Sequence, residues 1–177
     1  MFEVDVIIEI SKGGNVKYEF DKEKNILVCD RVLHTPFKYP FNYGYIPNTL
    51  SEDGDPVDVV VIMEESLISN CIVRCEIIGV LETRDDAGND PKLIVCPIKK
   101  VDPNYDLAKK LYEIYHGHTL DKIKYFFQHY KDLENKTTII GDFKDNISAY
   151  GIYQQSVDRF TNKIFQKSKI TDYFQII

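Results

Sequence analysis

A change in pattern near residue 97 limits what this chain can fold into more than any other feature. Before it, short β-branched stretches alternate with turn residues. After it, apolar residues return at three-and-four spacing. The first part predicts strands over 4–10, 16–20, 26–30, 57–63, 72–81 and 93–96. Turns such as Ser11-Lys12-Gly13-Gly14-Asn15 separate them. Short strands broken by frequent turns point to a small antiparallel barrel. In the second part, Leu120, Ile123, Phe127, Tyr130 and Leu133 or Glu134 mark a helix, capped by Thr119 or Asp121. Tyr150, Tyr153, Val157, Phe160 and Ile164 mark a last, C-terminal helix, and a shorter one is expected over 105–115.

The 177 residues form one expected domain over 1–177, long enough to bury a core without disulfides or a structural metal. Apolar residues make up 44% and charged residues 28%, which excludes disorder as the main state. The net charge of −6 argues against a nucleic-acid partner bound through many phosphates. It leaves room for a small anion, because a bound metal or a local cationic cluster reverses the sign within one pocket. Val59-Val60-Val61-Ile62-Met63 is the longest apolar run and is far too short for a bilayer span of about 20 residues. The first residues lack the basic and apolar regions of a secretory signal, so a cytoplasmic location without a membrane partner is expected. Cys29, Cys71, Cys75 and Cys96 form no C-x-x-C pair and read as reduced, buried thiols.

The densest chemistry is Asp53-Gly54-Asp55-Pro56-Val57-Asp58, three carboxylates on a turn that leads into an apolar strand. Crowded carboxylates raise one another's pKa unless a cation neutralises them. With no His or Cys nearby, magnesium or manganese suits the site better than zinc. An EF-hand is excluded, because Asp58 stands where its loop needs glycine and β-branched residues follow. A second acidic loop, Asp85-Asp86-Ala87-Gly88-Asn89-Asp90, reads alone as a hairpin turn. Beside the first cluster it offers oxygen ligands from another part of the barrel. A third set is cationic and aromatic. Lys17 and Glu19 share one face of a strand, Arg31 ends the next, and Tyr39, Tyr43 and Tyr45 lie close together. Tyr130 and Lys131 fall in the penultimate helix. Acidic clusters beside Arg, Lys and Tyr donors suggest a phosphate-rich ligand held through metals.

In this order, the residues resemble the bacterial-type soluble inorganic pyrophosphatases of family I. The likeness runs from Ile8-Glu9-Ile10 and Lys17-Tyr18-Glu19 through Asp30-Arg31, Tyr39-Pro40 and Asn42-Tyr43-Gly44-Tyr45. It continues through the Asp53–58 element, Asp85, Ala87-Gly88, Asp90 and Lys92 to His129-Tyr130-Lys131-Asp132-Leu133-Glu134. The resemblance implies a five-stranded OB-like barrel with helices packed on it, and magnesium-dependent hydrolysis of pyrophosphate to two phosphates. It implies that Asp53, Asp58 and Asp90 hold a first metal, with Asp58 touching a second. Asp85 and Asp90 would serve a further ion, and Glu9 one that arrives with substrate. Asp55 would be the general base for a metal-activated water. Lys17, Arg31, Tyr43, Lys92, Tyr130 and Lys131 would contact the phosphates, with Glu19 and Tyr39 in support. Manganese or zinc would substitute for magnesium, calcium would inhibit, and the assembly would be a homohexamer. Ser11 departs from the proline usual in the family, and Asp86 from the usual glutamate.

Two other classes are open to the residues alone. A metal-dependent nucleotide phosphohydrolase fits the acidic loops, although no G-x-x-x-x-G-K-[ST] loop occurs. A non-catalytic OB-type binding module fits the barrel but not the negative charge. The His116-Gly117-His118 stretch reads as a polar turn, for want of neighbouring ligands.

Overall fold

The first strand, β1 (Glu3–Ile10), buries Val4, Val6, Ile8 and Ile10 and turns the residues between them outward, the period of a pleated strand. The computed structural model describes residues 2–21, 24, 26–85, 88–106, 109, 117–134 and 138–174, with side chains of the last helix described to 166. The strands that follow are β2 (Val16–Asp21), β3 (Ile26–Val32), β4 (Asn42–Tyr45), β5 (Asp58–Val61) and β6 (Ile72–Asp85). Then come β7 (Gly88–Asn89), β8 (Lys92–Pro97) and β9 (Ile139–Lys144).

Strands β1, β4, β5, β8 and β6 neighbour one another in that order, and β6 pairs again with β1, closing a five-stranded barrel. The expected barrel is therefore present, but it is mixed, because β5 and β8 run parallel. The cause is topological. Strand β6 returns antiparallel to both β1 and β8, so β8 runs in the direction of β5 and lies next to it. Strand β6 holds the molecule together. Over 14 residues it pairs with β1, β8, β7 and β9, and two register shifts let it bend from one partner to the next. Strands β2 and β3 form a separate hairpin.

Three strands lie where no strand was expected: β4, β9 and the two-residue β7, which falls in the segment read as a hairpin turn. Strand β4 contains Gly44, and β9 contains Gly141 and Asp142, residues of low strand propensity. Gly44 has a steric reason. A Cβ there would stand 1.9 Å from the Ile7 carbonyl oxygen, so β1 and β4 approach this closely only without a side chain.

Helix α1 (His118–His129) lays Phe126 and Phe127 on Tyr39, Phe41 and Tyr43, with ring centroids 4.5 Å apart for Tyr39–Phe126. Its N-cap is Gly117, with no side-chain cap, so neither Thr119 nor Asp121 takes the expected role. It also stops earlier than expected. Tyr130 is its C-cap, and a one-turn 3-10 helix follows over Asp132–Glu134. Leu133 matches the helical spacing, yet it is 63% exposed and adds no burial that would extend the helix. Helix α2 (Asn146–Phe174) starts at Asp145, whose carboxylate accepts the Ser148 N–H at 2.8 Å. That bond holds the Asp145 carboxyl below its usual range. The helix packs through Ala149 and through Tyr150, which stacks on Phe2 at 3.9 Å. The helix expected over 105–115 begins at Tyr105 and Asp106, and most of it lies outside the described residues, as do Asp86 and His116.

A valine-rich cluster draws alternate residues from β1, β5, β6 and β8. The residues between them, including Val60, Ile94 and Tyr43, join the aromatic cluster under α1. Of the cysteines, Cys75 and Cys96 are buried as expected, Cys71 is half-buried, and Cys29 on β3 is exposed. None of the four forms a disulfide. Among the described residues no helix is long and apolar enough to cross a membrane.

Candidate active site

All twelve residues assigned from sequence line a single cavity of about 380 Å³. Neighbouring elements deliver them separately. Glu9 stands on the outward face of β1, Lys17 on β2, Arg31 on β3 and Tyr43 on β4. Asp53 and Asp55 sit on the turn before β5, and Asp58 is the first residue of that strand. Asp85 ends β6, Asp90 follows β7, and Lys92 begins β8. Tyr130 and Lys131 are not in the penultimate helix, as expected, but at its C-cap and just beyond it. That early stop turns the chain and leaves both side chains at the cavity.

Local geometry holds the acidic turn open. The Thr49 hydroxyl donates to the Ile46 carbonyl at 2.6 Å and accepts the Val57 N–H at 2.9 Å, fixing both ends of the segment. The Ser51 N–H donates to the Asp55 carbonyl at 2.7 Å, and Gly54 takes a φ of +95°, which glycine adopts without strain. The Asp55 N–H donates to the Asp53 carboxylate at 3.0 Å, which leaves the exposed Asp55 carboxylate at the cavity edge.

The centre is an ion triad around the buried Lys92. Lys92 Nζ lies 2.5 Å from Asp58 Oδ2 and 2.6 Å from Asp90 Oδ1, and the Tyr43 hydroxyl donates to Asp58 Oδ2 at 2.5 Å. Burial disfavours the Lys92 charge, but Asp58 and Asp90 outweigh it and hold the ammonium above its usual pKa. Burial, with the Asp58 charge adding to it, pushes Asp90 up to about 6 against the pull of Lys92. Burial likewise pushes Glu9 up to about 7, and it raises Asp53. Burial pulls Lys17 down, yet Glu9 and a 2.9 Å hydrogen bond to Glu19 leave it raised overall. Burial and the neighbouring Lys92 lower Lys131, which lies 3.7 Å from Asp85. Burial keeps the Tyr43 and Tyr130 hydroxyls protonated and so able to donate.

The donor set fits a hard divalent cation. Glu9, Asp53, Asp58, Asp85 and Asp90 offer oxygen only, and among the described residues no His or Cys lines the cavity. Among the described residues no three such side chains stand close enough to form a finished cation site. Lys92 is the countercharge between two of them. Size does not single out this cavity. A groove of about 610 Å³ beside α1, with Phe37, Tyr125 and Phe126 in its wall, is larger but gathers no set of carboxylates.

The cavity also contains Glu19 and Tyr39, expected in support, and Phe20, Tyr45 and Pro56, which sequence reasoning did not assign. Tyr45 had a signal, since it belongs to the same tyrosine-rich stretch as Tyr43. Asn42 was missed as a structural centre. Fully buried, it accepts the Lys12 and Leu67 N–H groups, both at 2.9 Å, and donates to the Glu65 carbonyl at 2.8 Å. Ser11, the departure noted above, touches the turn through its carbonyl, which accepts the Gly14 N–H at 2.9 Å.

The inorganic pyrophosphatase family profile matches residues 6–161. An inorganic pyrophosphatase of Helicobacter pylori is 44% identical over 156 residues, covering 88% of this chain and 90% of the relative. That of Aquifex pyrophilus is 48% identical over 135 residues, covering 75% of this chain and 74% of the relative. A solved H. pylori inorganic pyrophosphatase superposes with a TM-score of 0.84 at 43% identity, covering 90% of this chain and 94% of that one.

Proposed function

The chain belongs to the inorganic pyrophosphatase family, and we propose that it hydrolyses pyrophosphate to two phosphates in a magnesium-dependent reaction with Asp55 as general base. One observation supports the site assignment above the rest: carboxylates, cations and tyrosine hydroxyls from separate elements line one cavity. In this reading Asp53, Asp58 and Asp90 hold one ion, with Asp58 serving a second. Asp85 and Asp90 serve a further ion, and Glu9 one that enters with substrate. Bound magnesium supplies charge neutralisation for pyrophosphate and acidity to the attacking water. Manganese or zinc would replace it at these carboxylates, and calcium would inhibit.

The chain's own groups position and neutralise. Phosphoryl transfer needs little covalent help, so orientation and electrostatics dominate. Lys17, Arg31, Lys92 and Lys131 bring positive charge to the phosphate oxygens. Tyr130, held protonated, donates a hydrogen bond to them, and Tyr43 does so by turning its single hydroxyl proton from Asp58 to phosphate. Asp55 is exposed at the rim, where its carboxylate takes a proton from water on the way to phosphorus. The enzyme acts as a cytoplasmic homohexamer without nucleic-acid or membrane partners.

Phosphate release from pyrophosphate, with magnesium and after exhaustive chelation, tests the reading. Magnesium-dependent release is expected, together with inhibition by added calcium. Full activity without divalent ions would sink the metal assignment, and faster release from ATP than from pyrophosphate would favour a nucleotide phosphohydrolase.

A further inference from the structure

Two of the proposed metal ligands flank β7: Asp85 is the last residue of β6, and Asp90 follows β7 just before β8. Something must fix the Asp90 end. Pro91 follows Asp90 directly and brings no N–H of its own to the ladder. Two hydrogen bonds from β6 hold Asp90 instead. The Asp90 N–H donates to the Thr83 carbonyl at 2.9 Å, and the Thr83 hydroxyl donates to the Asp90 carbonyl. Thr83 is buried at 6% exposure, so this second bond is shielded from water and its loss leaves a carbonyl without that donor. The Asp90 side chain meets Lys92 at 2.6 Å, whereas the Asn89 side-chain bond to Glu52 at 3.2 Å lies at the exposed surface and contributes less.

We propose that Thr83 is a positioning residue for the metal site: its buried hydroxyl fixes the Asp90 backbone and thereby sets the carboxylate beside Asp58 and Lys92. The hydroxyl touches neither substrate nor metal and acts only through Asp90. Residues that orient a metal ligand from behind commonly change metal affinity about 10–100-fold when removed. The proposal rests on the reading of Asp90 as a magnesium ligand.

Isothermal titration with magnesium alone, on the full chain, separates the possibilities. Thr83→Val keeps the shape and removes the hydroxyl, Thr83→Ser keeps the hydroxyl and removes the methyl, and Thr83→Ala removes both. Magnesium affinity is expected to follow the hydroxyl. Thr and Ser should bind alike, while Val and Ala weaken by about tenfold or more. In steady state the magnesium midpoint should shift in step, with kcat largely recovered at saturating magnesium. If one apolar variant does not fold, the other decides against Ser. Affinity that follows side-chain size, with Val like Thr and Ala like Ser, overturns the proposal, as does equal affinity in all four proteins. Asp90→Asn is the control. If it leaves magnesium binding unchanged, the ligand reading has failed. If it weakens binding while Val and Ala do not, only the role of Thr83 has failed.

Discussion

Asp55 and Asp58 belong to the same six-residue element but meet different surroundings. Asp58 is half-buried and accepts hydrogen bonds from Lys92 and Tyr43. Asp55 is exposed, and its hydrogen bonds run through its backbone, to Asp53 and Ser51. A group whose carboxylate is left free is suited to move a proton, and one enclosed by cations and donors to hold a charge. Asp55→Asn is therefore expected to lower kcat by about 10²–10⁴-fold while magnesium affinity changes little. Asp58→Asn is expected to weaken magnesium binding first. Calorimetry and initial rates on the two variants check this, and the reverse pattern would exchange the roles. At this scale the lining of the cavity was legible in the sequence, because its acids, cations and tyrosines follow one another along the chain in a specific order. What it hid were the uncharged supports. Thr49, Thr83 and Asn42 act through hydrogen bonds to backbone groups, and threonine and asparagine carry no spacing that announces such bonds.

Strands and helices were read unevenly, and the reasons are local. Strands β1, β5 and β6 stood out because β-branched runs with buried faces have few alternatives. Strand β4 did not, because its fit depends on Gly44 meeting the Ile7 carbonyl, a contact that only the folded pair creates. The end of α1 was misplaced because spacing records which residues could share a face, and Leu133 shares the spacing without being buried. Two glycine-to-alanine changes should therefore have opposite signs. Gly44→Ala forces a side chain into backbone and is expected to cost about 3 kcal/mol or more. Gly151, inside α2, has open space where its Cβ would lie. Gly151→Ala should stabilise by up to about 1 kcal/mol, from helix propensity alone. Urea denaturation of both variants decides the matter, and destabilisation by Gly151→Ala would mean that α2 meets a neighbour there.

A single chain of this fold leaves a conspicuous apolar surface. Tyr125 is 57%, Leu133 63% and Ile139 62% exposed. They belong to α1, the turn after it and β9, and α1 reaches β9 through Lys124 and Asp142, 3.4 Å apart. Scattered exposed apolar residues are ordinary, but several on adjoining elements suit burial between copies of a chain. The site depends on the same elements. Tyr130 and Lys131 follow α1 directly, so a contact that steadies the end of α1 also steadies two side chains that line the cavity. A closed symmetric assembly would bury such a patch against its own copy. Sedimentation at micromolar concentration is expected to give a mass near six times the 20.6 kDa of one chain. Leu133→Asp, which places a charge in the patch and leaves the cavity lining intact, should shift the protein toward smaller species. It should also raise KM for pyrophosphate more than it lowers kcat at saturation. A wild-type chain that sediments as a monomer would remove the hexamer. A Leu133→Asp variant that stays fully assembled would place the contact on another face.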